Sequence, residues 1–260
     1  MTLTEAEVAD LAETLYEAFD TKTPIEPVTE TAELTVEDAY AVQSAVLGRI
    51  RADPDAVVGH KLGLVSEAKQ EQLGIPEPIF CQVLPETVVD DRTVDTDAYI
   101  APRVEAEIGL LLGEDVPAGA SPADVLAATH AVVPVVEILE TRYAGWTIPT
   151  AQDVIADLTS AAGVVVGETL RDPRDVDLAM ESVVISVNGE VASSGVGAAI
   201  MGHPARAVSW LAGRLPDVDD GLGAGELIMT GGITAAIDVE PGDVYSIRFA
   251  NIGSIELHAT

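Results

Sequence analysis

The chain opens with helical periodicity and then changes texture. Thr4-x-x-Glu7 has the form of a capping box, in which hydroxyl and carboxylate each satisfy a free backbone N–H, and it predicts a first helix to about Phe19. Residues 23–31, with Pro24 and Pro27, read as a linker. Val36, Ala39, Tyr40, Val42, Ala45, Val46 and Ile50 then recur at the spacing of one helix face, predicting a second helix that starts near Thr35 and stops before Pro54. Residues 1–54 are thus expected to form an N-terminal helical arm.

Residues 55–260 show short apolar runs punctuated by Gly, Pro and Asp, the pattern of a β-rich domain. Residues 57–64 are strand-like, and Ser66 is placed to cap a short helix that ends at Gly74. Ser121-Pro122 predicts a helix to about His130, and Pro204 another through about Leu215. Residues 183–187 and 190–193 flank Asn188-Gly189, the signature of a two-residue hairpin turn. Further strands are expected near 227–230, 244–250 and 254–258. Strands outnumber helices without regular alternation, which argues for an α+β fold and against a doubly wound parallel sheet.

The apolar pattern is broken informatively in two places. Read as a strand, Arg103-Val104-Glu105-Ala106-Glu107-Ile108-Gly109 puts Arg103, Glu105 and Glu107 on one face and Val104, Ala106 and Ile108 on the other. Alone, such a pair in an acidic chain reads as a solvated strand face. Glu137 changes that reading, because four of the five residues before it are Val and Ile138-Leu139 follow. A carboxylate in a segment fit only for burial is costly unless something cationic compensates it. Three converging carboxylates without His or Cys suit a hard divalent cation, Mg²⁺ or Mn²⁺.

Charge narrows the function classes. The 260 residues carry 44 Asp+Glu against 13 Lys+Arg, a formal net charge of −31, which excludes the basic face needed for nucleic acid and disfavours an anionic membrane surface. So acidic a surface is expected to be adapted to high salt, where counter-ions screen its self-repulsion. The lone Cys81 cannot form an internal disulfide and reads as a small buried hydrophobe. With no leader-like or membrane-spanning apolar stretch, a cytoplasmic enzyme is the expectation.

Only Lys22, Lys61 and Lys69 are lysines, so Lys61, set between Val57-Val58-Gly59 and Leu62-Gly63-Leu64, stands out. It is placed to bind a substrate carboxylate or to transfer a proton, depending on how far burial lowers its pKa. Met229-Thr230-Gly231-Gly232-Ile233-Thr234 follows a predicted strand and offers hydroxyl and backbone donors to a ligand. Gly195-Val196-Gly197 reads as a glycine-rich loop without the strand–glycine–helix context of a nucleotide site. The four histidines lack ligand spacing, and Ser66, Ser160 and Ser194 lack a nucleophile-elbow sequence.

Several of these segments together resemble the 4-oxalocrotonate decarboxylase and 2-keto-4-pentenoate hydratase family of the fumarylacetoacetate hydrolase superfamily. The resemblance runs from about Thr35 onward through Gly59-His60-Lys61-Leu62-Gly63-Leu64, Gln72-Leu73-Gly74, Pro102 to Ile108, Val133-Pro134 through Glu137, Arg142, Ala156-Asp157 through Ser160, Gly202-His203-Pro204 and Asn251-Ile252-Gly253-Ser254. It implies a mixed β-sandwich roll of the fumarylacetoacetate hydrolase C-terminal type. It also implies Glu105, Glu107 and Glu137 as metal ligands, Lys61 and Asp157 as catalytic residues, and Ser160, Thr230 and Gly231 around the substrate. Where the family reads Ala-Asp-Asn-Ala-Ser, this chain has Ala156-Asp157-Leu158-Thr159-Ser160.

The implied activity is metal-dependent decarboxylation of 2-oxo-3-hexenedioate, a small 2-oxo dicarboxylic acid of aromatic meta-cleavage catabolism, to 2-hydroxypenta-2,4-dienoate. Hydratases of the family tend to carry Asp-Phe after the loop proline, where this chain has Pro78-Ile79-Phe80, so the decarboxylase branch is favoured. The alternatives are a 2-keto-4-pentenoate hydratase, a non-catalytic subunit stabilising a hydratase partner, or an acylpyruvate hydrolase. A homo-oligomer, complexed with a hydratase, is the expected assembly.

Overall fold

The computed structural model describes residues 2–53, 56–215 and 221–260. Helix α1 (Glu5–Thr21) starts at the Thr4/Glu7 capping box, and α2 (Val36–Ile50) at a second box formed by Thr35 and Asp38. Helix α2 ends at Ile50, before Pro54 as expected, and the arm boundary at 54/55 lies outside the described residues. The facing apolar stripes bury Val8, Ala12 and Leu15 of α1 with Val42 and Val46 of α2. That cluster also takes in Ile79, Cys81 and Leu84, so the helices pack onto one edge of a β-sheet.

The strands are β1 (Gly59–Gly63), β2 (Ile79–Val83), β3 (Thr93–Val94), β4 (Arg103–Leu112), β5 (Thr129–Leu139), β6 (Ala161–Val166), β7 (Ser182–Val187), β8 (Glu190–Val196), β9 (Leu227–Gly232), β10 (Ile237–Asp238), β11 (Val244–Phe249) and β12 (Ser254–Ala259). The larger sheet runs β2-β1-β9-β4-β5-β6, with β10 added to β4, and the smaller runs β3-β12-β11-β7-β8. Among the described residues four further α-helices complete the fold: α3 (Glu67–Leu73), α4 (Pro122–Ala128), α5 (Ala151–Ala156) and α6 (Pro204–Arg214). Among the described residues no helix is long and apolar enough to cross a membrane.

Alternation along β4 explains how the sheets meet. Val104, Ala106, Ile108 and Leu110 enter a core shared with Ile185, Tyr245, Ile247, Ile255 and Leu257 of the smaller sheet. Each large side chain buried there contributes about 1.5–3 kcal/mol. The opposite face of β4 carries Glu105 and Glu107, and the sandwich core holds that strand rigid beneath them.

Local differences from expectation have local causes. Helix α4 ends at Ala128, ahead of His130, because Thr129 turns extended and begins β5. Helix α5 has six residues, too few to show a period, although Thr150 caps it. Gly195 and Gly197 form no ligand loop. A Cβ on Gly195 would lie 1.7 Å from Ile233 O and one on Gly197 1.9 Å from Leu178 O, so both allow close backbone approach.

Candidate metal and substrate site

Strands β4 and β5 pair antiparallel with Glu105 directly opposite Glu137. Paired residues share a sheet face, and Glu107 lies two residues along from Glu105, so all three carboxylates converge. Each offers an oxygen, and these oxygens lie within 4.8 Å of one another. All three side chains are buried. Burial, reinforced by Glu137, pushes the Glu107 carboxyl well above the usual carboxylate range despite the opposing Lys61 ammonium. Burial likewise raises Glu137 against the pull of Lys61.

The surroundings fit a divalent cation. Glu107 Oε2 accepts a hydrogen bond from Gly231 N–H at 2.9 Å, while the buried Glu107 Oε1 has no hydrogen-bond partner. A buried, unsatisfied carboxylate oxygen is costly, and a cation amid these oxygens would satisfy it and cancel the like-charge repulsion. Gly232 forms the cradle: a Cβ there would sit 1.7 Å from Glu105 Oε2. The all-oxygen donor set is that of a hard ion.

Lys61 is buried on β1, its Nζ 2.9 Å from Glu137 Oε1 and donating to Thr159 O at 2.7 Å. Burial pulls the ammonium pKa down, but Glu137 and Glu107 outweigh it and the net shift is upward. The neighbouring carboxylates thus favour the ammonium form of Lys61 in the metal-free protein. The Thr159 carbonyl is aimed by an unusual turn, since Leu158, Thr159 and Ser160 have φ of 55°, 53° and 58°. Left-handed geometry costs a non-glycine residue roughly 1–2 kcal/mol, so this turn must be held. Thr159 Oγ1 donates to Phe80 O at 3.0 Å, and Ser160 N–H donates to Asp157 O at 2.9 Å.

Lys61, Glu105, Glu137, Ser160 and Gly232 line one open cleft, together with Lys69, Arg103 and the apolar Leu62, Ile79, Leu139 and Val154. Three residues expected at the substrate or in catalysis are not on that lining. Asp157 is buried and engaged by Arg142 Nε, by Arg142 N–H at 3.1 Å and by the Thr141 hydroxyl at 2.7 Å. Thr230 donates its hydroxyl to Ile108 O at 2.7 Å, and Gly231 gives its N–H to Glu107. Their polar groups are committed within the protein, where they position the turn beneath Lys61 and the carboxylate of Glu107.

Other cleft residues were not assigned from sequence. Lys69 Nζ lies 3.2 Å from Glu105 Oε1, and the scarcity of lysine that singles out Lys61 applies equally to Lys69. Arg103 shares the Glu105 strand face and stacks on Trp146, a residue with no distinguishing sequence signal. Histidine and cysteine take structural parts. His60 pairs with Glu226 at 2.8 Å, His203 caps α6, and burial pushes the Cys81 thiol up to about 12.

Comparison with known proteins agrees with this geometry. The family model for the fumarylacetoacetate (FAA) hydrolase C-terminal domain matches residues 56–259. The chain is 37% identical to a 2-keto-4-pentenoate hydratase of Paraburkholderia xenovorans, over 97% of this chain and 95% of that protein. It is 38% identical to a 4-oxalocrotonate decarboxylase of a Pseudomonas strain, over 98% and 97%. Its fold superposes with a TM-score of 0.95 on a 4-oxalocrotonate decarboxylase from Pseudomonas putida complexed with magnesium and adipate, at 37% identity over 100% of this chain and 99% of that one. With its metal-fitting carboxylates, its fold and its sequence pointing the same way, the chain belongs to the fumarylacetoacetate hydrolase family.

Proposed function

We propose that this protein is a metal-dependent carbon–carbon lyase that decarboxylates 2-oxo-3-hexenedioate to 2-hydroxypenta-2,4-dienoate. The observation that carries this reading is the charge of the cleft. Lys61, Lys69 and Arg103 line it, although the whole chain has only 13 Lys+Arg, which suits a substrate with a carboxylate at each end. The hydratase substrate 2-hydroxypenta-2,4-dienoate has one. Identity does not separate the two activities, since hydratase and decarboxylase relatives are equally similar.

Glu105, Glu107 and Glu137 would hold a divalent ion, Mg²⁺ or Mn²⁺, which supplies Lewis-acid polarisation of the 2-oxo acid when bound. The C5–C6 bond breaks, C6 leaves as CO₂, the bonding pair moves through C4 and C3 onto the 2-oxo oxygen, and a proton from solvent completes the 2-hydroxyl of the product. The Lys61 side chain, held by Thr159 O, would stabilise charge growing on that oxygen. Ser160 on the cleft wall offers a hydroxyl to the substrate. Asp157, Thr230 and Gly231 act by positioning. Ile79 is fully buried behind the cleft wall where the hydratase pattern has an aspartate, so this position offers no carboxylate for water addition.

The test is turnover with Mg²⁺ in high salt, following CO₂ from 2-oxo-3-hexenedioate and loss of 2-hydroxypenta-2,4-dienoate in parallel. Decarboxylation should dominate, and Ile79→Asp should weaken it while introducing hydration. Efficient hydration without CO₂ would make the protein a hydratase, and neither activity would make it the non-catalytic subunit. That last reading is disfavoured by an intact Lys61 and three intact glutamates. A cytoplasmic homo-oligomer docking with a hydratase completes the proposal. A strictly monomeric sedimentation profile in high salt would overturn the homo-oligomer.

A further inference from the structure

We infer that Arg103 receives the distal carboxylate of the substrate and that Trp146 is the positioning residue that presents it; the assignment rests on the dicarboxylate reading above. Arg103 and Glu105 lie on one face of β4 two residues apart, about 7 Å of strand. That spacing is comparable with the length of a six-carbon dicarboxylate whose first carboxylate sits at the three glutamates. The Arg103 side chain is 33% exposed and lines the cleft. A guanidinium matches a carboxylate with two parallel N–H donors, which suits recognition of a free end group.

The support beneath Arg103 is built for orientation. Its guanidinium carbon lies 4.1 Å from the Trp146 ring centroid. The Trp146 indole N–H donates to Ala101 O at 3.0 Å, and Trp146 itself has φ 58° directly after Gly145 at 62°. A bulky residue in that region is strained and persists only where its surroundings enforce it. Here the enforced geometry places an aromatic face under the cation. Arg103 Nε also meets Asp238 at 2.7 Å, but the Asp238 side chain is 71% exposed, and such a pair exchanges readily for a better-buried carboxylate. Lys69 is held at the metal end by Glu105, which leaves Arg103 for the far end.

Calorimetric titration of the Mg²⁺-saturated protein with 2-oxoadipate and 2-oxohexanoate tests this, since the two acids differ only in the distal carboxylate. The wild type should prefer 2-oxoadipate by about tenfold or more, the scale of a charge-assisted hydrogen bond. Arg103→Met should abolish the preference while its affinity for 2-oxohexanoate stays within about threefold, which also shows that the variant is folded. Trp146→Leu should reduce the preference and Trp146→Phe should restore it. Retention of the wild-type preference in Arg103→Met, or its loss in Lys69→Met instead, would overturn the assignment. Equal affinity of the wild type for both acids would overturn the dicarboxylate reading itself.

Discussion

Gly232→Ala tests the metal site through a single methyl group. Gly232 does not have a left-handed φ, so alanine adds no backbone strain. Its Cβ, however, would stand 1.7 Å from Glu105 Oε2 and 2.7 Å from Glu105 Cδ. Real Cβ contacts essentially never fall under 3.0 Å, so the carboxylate must retreat by about 1.3 Å or more. Magnesium holds its oxygens at about 2.0–2.1 Å in near-octahedral geometry, and a displacement of that size removes Glu105 from the ligand set. Because the clash meets the end of a side chain beside an open cleft, folding stability should change by no more than about 1 kcal/mol. Magnesium affinity should fall at least about 10–100-fold, the scale seen when a supporting contact of a ligand is lost. Titration calorimetry with Mg²⁺, beside urea unfolding, reads both quantities. Gly213→Ala, with nothing within 4 Å of its Cβ on α6, is the control and should stabilise by up to about 1 kcal/mol without altering Mg²⁺ binding. If Gly232→Ala bound Mg²⁺ like the parent, Glu105 would not be a ligand and the reasoning would fail.

Three further outcomes are expected. Burial raises the Glu107 and Glu137 carboxyls, so the metal-free folded state holds protons that the unfolded state has released. That contribution to stability is present below the ordinary glutamate range and is lost as pH rises through the raised values. Metal-free Glu107→Gln should therefore lose less stability over that interval, and Mg²⁺ binding to the parent should release protons, visible as buffer-dependent calorimetric heat; a buffer-independent heat would refute it. Asp157→Asn breaks the buried pair with Arg142 and should cost about 3–5 kcal/mol in urea unfolding, whereas a loss under about 1 kcal/mol would show that Asp157 does not carry the turn. With a net charge of −31, the melting temperature should rise with KCl as the Debye length falls from about 30 Å at 0.01 M to about 3 Å at 1 M, and a salt-independent value would remove the case for a salt-adapted surface.

Period and capping chemistry are local, and what depended on them could be read directly. The boxes at Thr4/Glu7, the Ser66 and Ser121 caps, the Asn188-Gly189 turn and the alternation through Glu105 and Glu107 are each specified by residues within a few positions. Burial of Glu137 followed from its apolar flanks for the same reason. Short elements were harder: β6 (Ala161–Val166) and α5 (Ala151–Ala156) contain too few residues to establish a period.

The composition and the glutamate pattern by themselves determined that this is an acidic protein with Glu105 and Glu107 on one strand face and Glu137 in an apolar run, because charge and strand alternation belong to the chain alone. Only the tertiary structure decided which side chains face that site. It set Glu105 opposite Glu137, brought Lys61 from β1 and Lys69 from α3 to the same carboxylates, and stacked Arg103 on Trp146. It also engages Asp157, expected to be catalytic, and Thr230 and Gly231, expected at the substrate, in hydrogen bonds within the protein. Sequence shows that a residue carries a donor or a charge, but where that group is spent depends on distant partners, 124 residues away for Gly231 and Glu107, and those distances close only when the sheets assemble.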